Sequence, residues 1–72
     1  MTKVWVGEND GAAEGDYVLR PDGDTVAVGK VEGGAVCWLS PVPASTLPDL
    51  GDEAALLTAV RGVETALNNR GG

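Results

Sequence analysis

The feature that most constrains this chain is that its predicted strands are apolar on both faces, while only one helix is available to cover them. Residues 1–40 read as short strands joined by Gly and Asp turns, and both alternating sets of strand residues are largely apolar. A sheet that is covered on one side alternates apolar and polar side chains. The second apolar face therefore requires another cover, from the chain itself or from a partner.

Four short strands are predicted from runs of β-branched and aromatic residues that end at turn-forming residues. They cover about residues 3–6, 16–20, 25–31 and 35–39. The connections after the second and third strands are short and rich in Gly, which predicts that the last three strands form an antiparallel meander. The connection over residues 7–15 is long for a hairpin, so it is either a mobile loop or one that wraps over another group.

Alternation along these strands sorts their apolar side chains into two sets. One set contains Val4, Val6, Val26, Val28, Val36 and Trp38. The other set contains Trp5, Ala27, Gly29, Val31, Cys37 and Leu39. The second strand contributes to both faces, and the sequence leaves its register open. The two tryptophans are thus expected on opposite faces, and either of them could be the one that faces outward.

The segment over residues 40–50 holds three of the four prolines of the chain. Proline lacks the amide donor of a strand ladder and keeps its predecessor extended. We therefore predict a stiff Pro-rich strap rather than a strand, and this strap could cross one face of the sheet.

A single helix is predicted over about residues 52–69, capped by Asp49 or Asp52. Its apolar face recurs at steps of four, three and four residues: Leu56, Val60, Val63 and Leu67. A stripe of small residues follows the same steps: Ala55, Ala59, Gly62 and Ala66. The stripe either packs closely on the chain's own sheet or receives a partner helix. Gly62 calls for such a reason, because Gly costs a helix about 1 kcal/mol relative to Ala.

These elements predict one α+β domain over residues 1–72. It is a small antiparallel four-stranded β-meander or an SH3-like half-barrel, followed by the strap and one C-terminal α-helix. The segments Gly15-Asp16-Tyr17-Val18, Asp22-Gly23 and Val28-Gly29-Lys30-Val31 resemble the strand–turn–strand order of SH3-like small barrels. The resemblance covers residues 15–39, favours the half-barrel and implies no function.

The acidic balance of the chain argues against direct nucleic-acid binding. Eleven acidic and five basic residues give a net charge of −6, whereas phosphate backbones are bound by clustered Lys and Arg. The order of three strands before a helix is similar to AP2-like DNA-binding domains, which read DNA from an Arg-rich sheet. The predicted sheet here offers only Lys3, Arg20 and Lys30 among the acids, so DNA binding is not expected.

Catalysis and cofactors are not expected either. The chain has no His and only Cys37 as a thiol, which excludes Ser-His and Cys-His pairs and a structural zinc site built by one chain. The Asp22-Gly23-Asp24 turn lacks the further oxygen ligands of a calcium loop. We therefore expect no enzyme activity, no metal and no cofactor.

Compartment and source are expectations from composition. No stretch approaches the ~20 apolar residues of a membrane span, and the N-terminus lacks a secretory leader. We expect a cytoplasmic protein, or a virion protein if a phage encodes it. The abundance of Gly, Ala, Val and Asp is typical of GC-rich coding sequences and indicates an actinobacterial or phage source.

The sequence therefore predicts a non-enzymatic protein-interaction or assembly module that completes its core through self-association, as a homo-oligomer, or through a protein partner. It would be a small accessory or virion-type component. The alternative is an acidic regulator or inhibitor that occupies a basic nucleic-acid-binding surface. The expected interface residues are two tryptophans, two strand neighbours and two small helix residues: Trp5, Trp38, Cys37, Leu39, Ala59 and Gly62.

Overall fold

The computed structural model describes residues 2–71 and the side chains of residues 2–69. The predicted α+β fold is confirmed: short strands come first and one helix follows. The strands are β1 (Val4–Val6), β2 (Tyr17–Asp22), β3 (Thr25–Glu32), β4 (Ala35–Trp38) and β5 (Val42–Pro43). A 3-10 turn (Ala44–Thr46) and the helix α1 (Glu53–Gly71) follow the strands.

The strands form one mixed sheet in the order β1-β2-β3-β4, with β5 paired to β3. The pairs β2/β3 and β3/β4 are antiparallel, which confirms the meander. The expectation of a fully antiparallel sheet is corrected at β1, which runs parallel to β2 with Val4 opposite Tyr17. A parallel neighbour needs a connection that returns to the starting end of the sheet, and the long 7–15 loop provides it.

The sheet stays open in the described part of the chain. β1 forms one edge, while β4 and β5 lie one after the other along the far side of β3, so no barrel closes. Trp38 pairs with Gly29, and Val42 pairs with Val26. Between these two pairs lie three residues on the segment that joins β4 to β5 but only two residues on β3. The extra residue is a bulge. Part of the Pro-rich strap is thus a two-residue edge strand. This differs from the sequence-based prediction that the strap contains no strand.

The helix packs on one face of the sheet. Its Leu56 and Val60 are fully buried in one cluster with four sheet residues: Tyr17, Leu19, Val26 and Val28. This confirms the apolar face read from the sequence, with Val63 and Leu67 only half-buried toward the helix end. The Asp52 side chain accepts a hydrogen bond from the Ala55 amide at 3.1 Å, so Asp52 caps the helix as expected.

Candidate interaction surface

Both tryptophans lie in one row that crosses the whole sheet. Trp5 pairs with Val18, Val18 with Gly29, and Gly29 with Trp38. Directly paired residues point to the same side of a sheet, and Val18 points away from its helix-facing neighbours Tyr17 and Leu19. The row therefore lies on the face opposite the helix. We call this surface the tryptophan face and define it by six residues: Trp5, Val18, Gly29, Val31, Val36 and Trp38.

The expected division of the strands into two faces is corrected at β4. Val36 pairs with Val31, and both Val36 and Trp38 lie opposite the helix rather than beside Val26 and Val28. Cys37 pairs with Lys30 on the helix side, where its side chain is exposed. The alternation was right within each strand, but the register between β3 and β4 was not available from it.

The six expected interface residues do not form one cluster. The structure brings Trp5 and Trp38 together on the tryptophan face, while Cys37 and Leu39 lie on the helix side and Leu39 packs against the core. Ala59 is half-buried on α1. Gly62 is exposed, and a Cβ placed there would meet no atom within 4 Å, so packing on the sheet does not explain this glycine.

Trp38 lies directly over the backbone of Gly29. A Cβ at Gly29 would stand 2.6 Å from Val36 Cγ1 and 2.8 Å from Trp38 Cε3, distances that no real Cβ adopts. The Arg20 guanidinium lies 5.3 Å from the centroid of the Trp38 ring. The ring is thus held between backbone and cation, yet 48% of Trp38 remains exposed. The role of Gly29 cannot be predicted from the sequence, because it depends on the register between β3 and β4, which sets Gly29 opposite Trp38.

The loop over residues 7–15 passes over Trp5, which fits the interpretation of a loop that wraps over another group. Trp5 Nε1 donates a hydrogen bond to Asp16 Oδ2 at 3.0 Å, and a Cβ at Gly11 would lie 4.0 Å from the ring. The Lys3 ammonium lies 5.1 Å from the ring centroid. Trp5 is therefore half-buried by its own chain, in contrast to Trp38.

Asp16 joins the loop, β1 and Trp5. Its buried carboxylate accepts hydrogen bonds from the Ala13 amide at 2.9 Å, from the Trp5 indole at 3.0 Å and from the Lys3 amide at 3.0 Å. These three donors, the Ala13 amide foremost, hold the pKa of Asp16 below its ordinary value. This role cannot be read from the sequence, because Asp before a strand is also an ordinary turn residue.

A second polar cluster attaches α1 to the sheet. Glu64 accepts hydrogen bonds from the Tyr17 hydroxyl and from Lys30 Nζ, the latter at 3.0 Å. The pKa of Glu64 is lowered mainly by the hydrogen bond from Tyr17 and next by the one from Lys30. The pKa of Tyr17 is raised mainly by burial and next by its hydrogen bond to Glu64. Both oxygens of Glu64 are engaged within the chain, so the cluster serves packing.

The described residues contain no group of three Asp, Glu or Cys side chains close enough to hold a metal ion. Within the same residues, α1 is not apolar enough over a sufficient length to cross a membrane.

Replacing Gly29 with Ala is expected to destabilise the domain by about 1–3 kcal/mol, because the new methyl group displaces Trp38 and Val36. Gly62→Ala is the matched control, since open space surrounds that position and Ala favours the helix by about 1 kcal/mol. Thermal melts of both variants measure the difference. A Gly29→Ala protein as stable as the wild type would show that Trp38 does not rest on this backbone.

Trp5 and Trp38 thus mark a half-covered sheet face that the helix leaves free. No family model matches the chain, and comparisons with curated proteins and with solved structures found no significant match.

Proposed function

We propose that this chain is a non-enzymatic protein-interaction and assembly module that buries its tryptophan face against another protein surface, with a second copy of itself as the first candidate. As a small cytoplasmic or virion-type accessory component, it would act by contact alone. The proposal rests on Trp38, a large aromatic side chain that is 48% exposed on the sheet face opposite the helix.

The surroundings of Trp38 support a binding role. Tryptophan and Arg are enriched among the residues that contribute most to protein interfaces. Here the Gly29 backbone supports the ring from below and Arg20 lies over it, so the ring is already ordered before a partner arrives. An ordered aromatic loses little conformational entropy on binding.

The charges around the tryptophan face indicate what kind of partner surface would fit it. Lys3 lies over the Trp5 ring and Arg20 over the Trp38 ring, so two of the five basic residues of the chain are at this face. A surface that is apolar at its centre and acidic at its rim would complement this arrangement. Two copies that each carry a net charge of −6 repel one another at long range, so self-association must come from the apolar centre of this face and is expected to strengthen with added salt.

Trp38→Ala is expected to weaken association by about 2 kcal/mol or more, roughly thirtyfold, while costing the fold about 1 kcal/mol. Leu50→Ala is the matched control, because Leu50 is 41% exposed but lies outside the sheet. Sedimentation at a series of protein concentrations, with circular dichroism to verify folding, compares the three proteins. Equal weakening by both variants would contradict association through this face, and wild-type protein that stays monomeric at high micromolar concentration would contradict self-association and leave a different protein as the partner.

The rival function, an acidic regulator that occupies a basic nucleic-acid-binding surface, is supported by the turn acids. Asp22, Asp24 and Glu32 are exposed at the ends of the meander, and the one ion pair of the described residues joins Lys30 to Glu64. Salt separates the two functions. Association through tryptophan persists in high salt, whereas binding through these carboxylates weakens steeply.

A further inference from the structure

The outer edge of β1 has unpaired backbone groups. β1 pairs with β2 on one side only, and hydrogen bonds from Tyr17 N to Lys3 O and from Gly7 N to Leu19 O define the ladder. In a parallel ladder of this register, the backbone of Trp5 faces β2, while that of Val4 and Val6 faces outward. Apart from the Val4 amide, these outward groups have no hydrogen-bond partner within residues 2–71.

A groove opens just before this edge begins, between the residues that precede β1 and the first turns of α1. It has a volume of about 430 Å³ and is lined by Thr2, Lys3, Glu53, Ala54 and Leu57. The Val4 amide points toward the start of α1 and donates a long hydrogen bond to Glu53 Oε2 at 3.3 Å. Glu53 is exposed, so this single contact is easily exchanged for another acceptor.

We infer that a second copy of this chain pairs with β1 along this edge, antiparallel and about a two-fold axis at Trp5. The strand reads Val4-Trp5-Val6 in both directions. An antiparallel pair centred on Trp5 therefore sets Val4 of one copy opposite Val6 of the other. In that register the outward amides and carbonyls of both residues exchange hydrogen bonds, which is the self-complementary pattern that two-fold symmetry requires.

Charge selects the same arrangement. Antiparallel pairing sets the Lys3 end of one strand beside the Gly7-Glu8 end of the other, whereas parallel pairing would bring like charges together. The bond from Trp5 Nε1 to Asp16 draws the indole toward β2, which leaves the edge accessible.

This pairing uses the edge of the sheet and not the tryptophan face, so it goes beyond the proposed function. It joins two sheets into one and places both tryptophan rows on the same side of the enlarged sheet. A three-residue edge buries little surface compared with a stable interface, so the pair forms at high micromolar rather than low micromolar concentration.

Amide hydrogen exchange on the intact wild-type protein tests the inference. At high micromolar concentration, exchange of the Val6 amide is expected to slow roughly tenfold relative to low micromolar concentration, because the partner strand accepts its hydrogen bond. The Trp5 amide faces β2 in either state and serves as the internal control. Glu53→Ala removes the competing acceptor of the Val4 amide, so in that variant the same protection should appear at lower protein concentration.

The remaining outcomes decide between the edge and the face. Concentration-dependent protection of Val6 that persists in Trp38→Ala protein supports pairing through the edge. Wild-type protein that associates in sedimentation while exchange at Val6 stays constant overturns the inference and leaves association through the tryptophan face intact. Protein that remains monomeric throughout, with Val6 exchanging at one rate, also overturns it.

Discussion

Protein with Asp16→Ala is expected to lose about 3–4 kcal/mol of stability, since three partly buried donors then lose their shared acceptor. A domain of this size has little more than that in total. We therefore expect a largely unfolded chain at room temperature, observed by circular dichroism and by loss of the slowly exchanging amides. A folded Asp16→Ala protein would show that the loop and β1 do not depend on this carboxylate.

Asp16→Asn is the matched variant, because it keeps the shape and one acceptor oxygen but removes the charge. The hydrogen bonds that lower the pKa of Asp16 in the folded protein stabilise the fold above the ordinary pKa of Asp. That contribution disappears as the pH falls toward the lowered pKa. Urea unfolding at a series of acidic pH values should thus show a shallower loss of stability for Asp16→Asn than for the wild type. Identical pH profiles would assign the acid sensitivity to Glu64 and other carboxylates.

Val60→Asp is expected to abolish folding. Val60 is fully buried between α1 and the sheet, and an unpaired carboxylate there costs more than about 4 kcal/mol. Thr58→Asp introduces the same side chain two residues away on the exposed side of α1, and its cost should stay below about 1 kcal/mol. Thermal melts of the two variants give the comparison. Similar melting temperatures would mean that α1 presents a different face to the sheet.

The helix and its buried face could be predicted because both depend on spacing within one segment. Leu56 and Val60 repeat at a helical step, and no information from elsewhere in the chain is needed to place them on one face. The position of the tryptophans could not be predicted in this way. It depends on how β1 pairs with β2 and β4 with β3, and one residue of slip reverses every side chain.

The parallel pairing of β1 also lay beyond sequence reasoning. It follows from a loop that wraps over Trp5 and is fixed by the carboxylate of Asp16. Nothing in the local sequence distinguishes this acid from the solvated acids of neighbouring turns. Tertiary hydrogen bonds, and not turn preference, decide its role. For the same reason the sequence predicts that one apolar sheet face is left uncovered, but it does not identify the residues of that face.

The pairing of the strands has a consequence for the order in which the chain can fold. β2, β3 and β4 are neighbours in sequence, so their contacts close short loops at a small entropic cost. The contacts that fasten α1 span most of the chain: Glu64 reaches back to Tyr17, and Glu53 reaches back to Val4. The meander can therefore form from local contacts before α1 docks, and during that interval both of its apolar faces are open to other molecules.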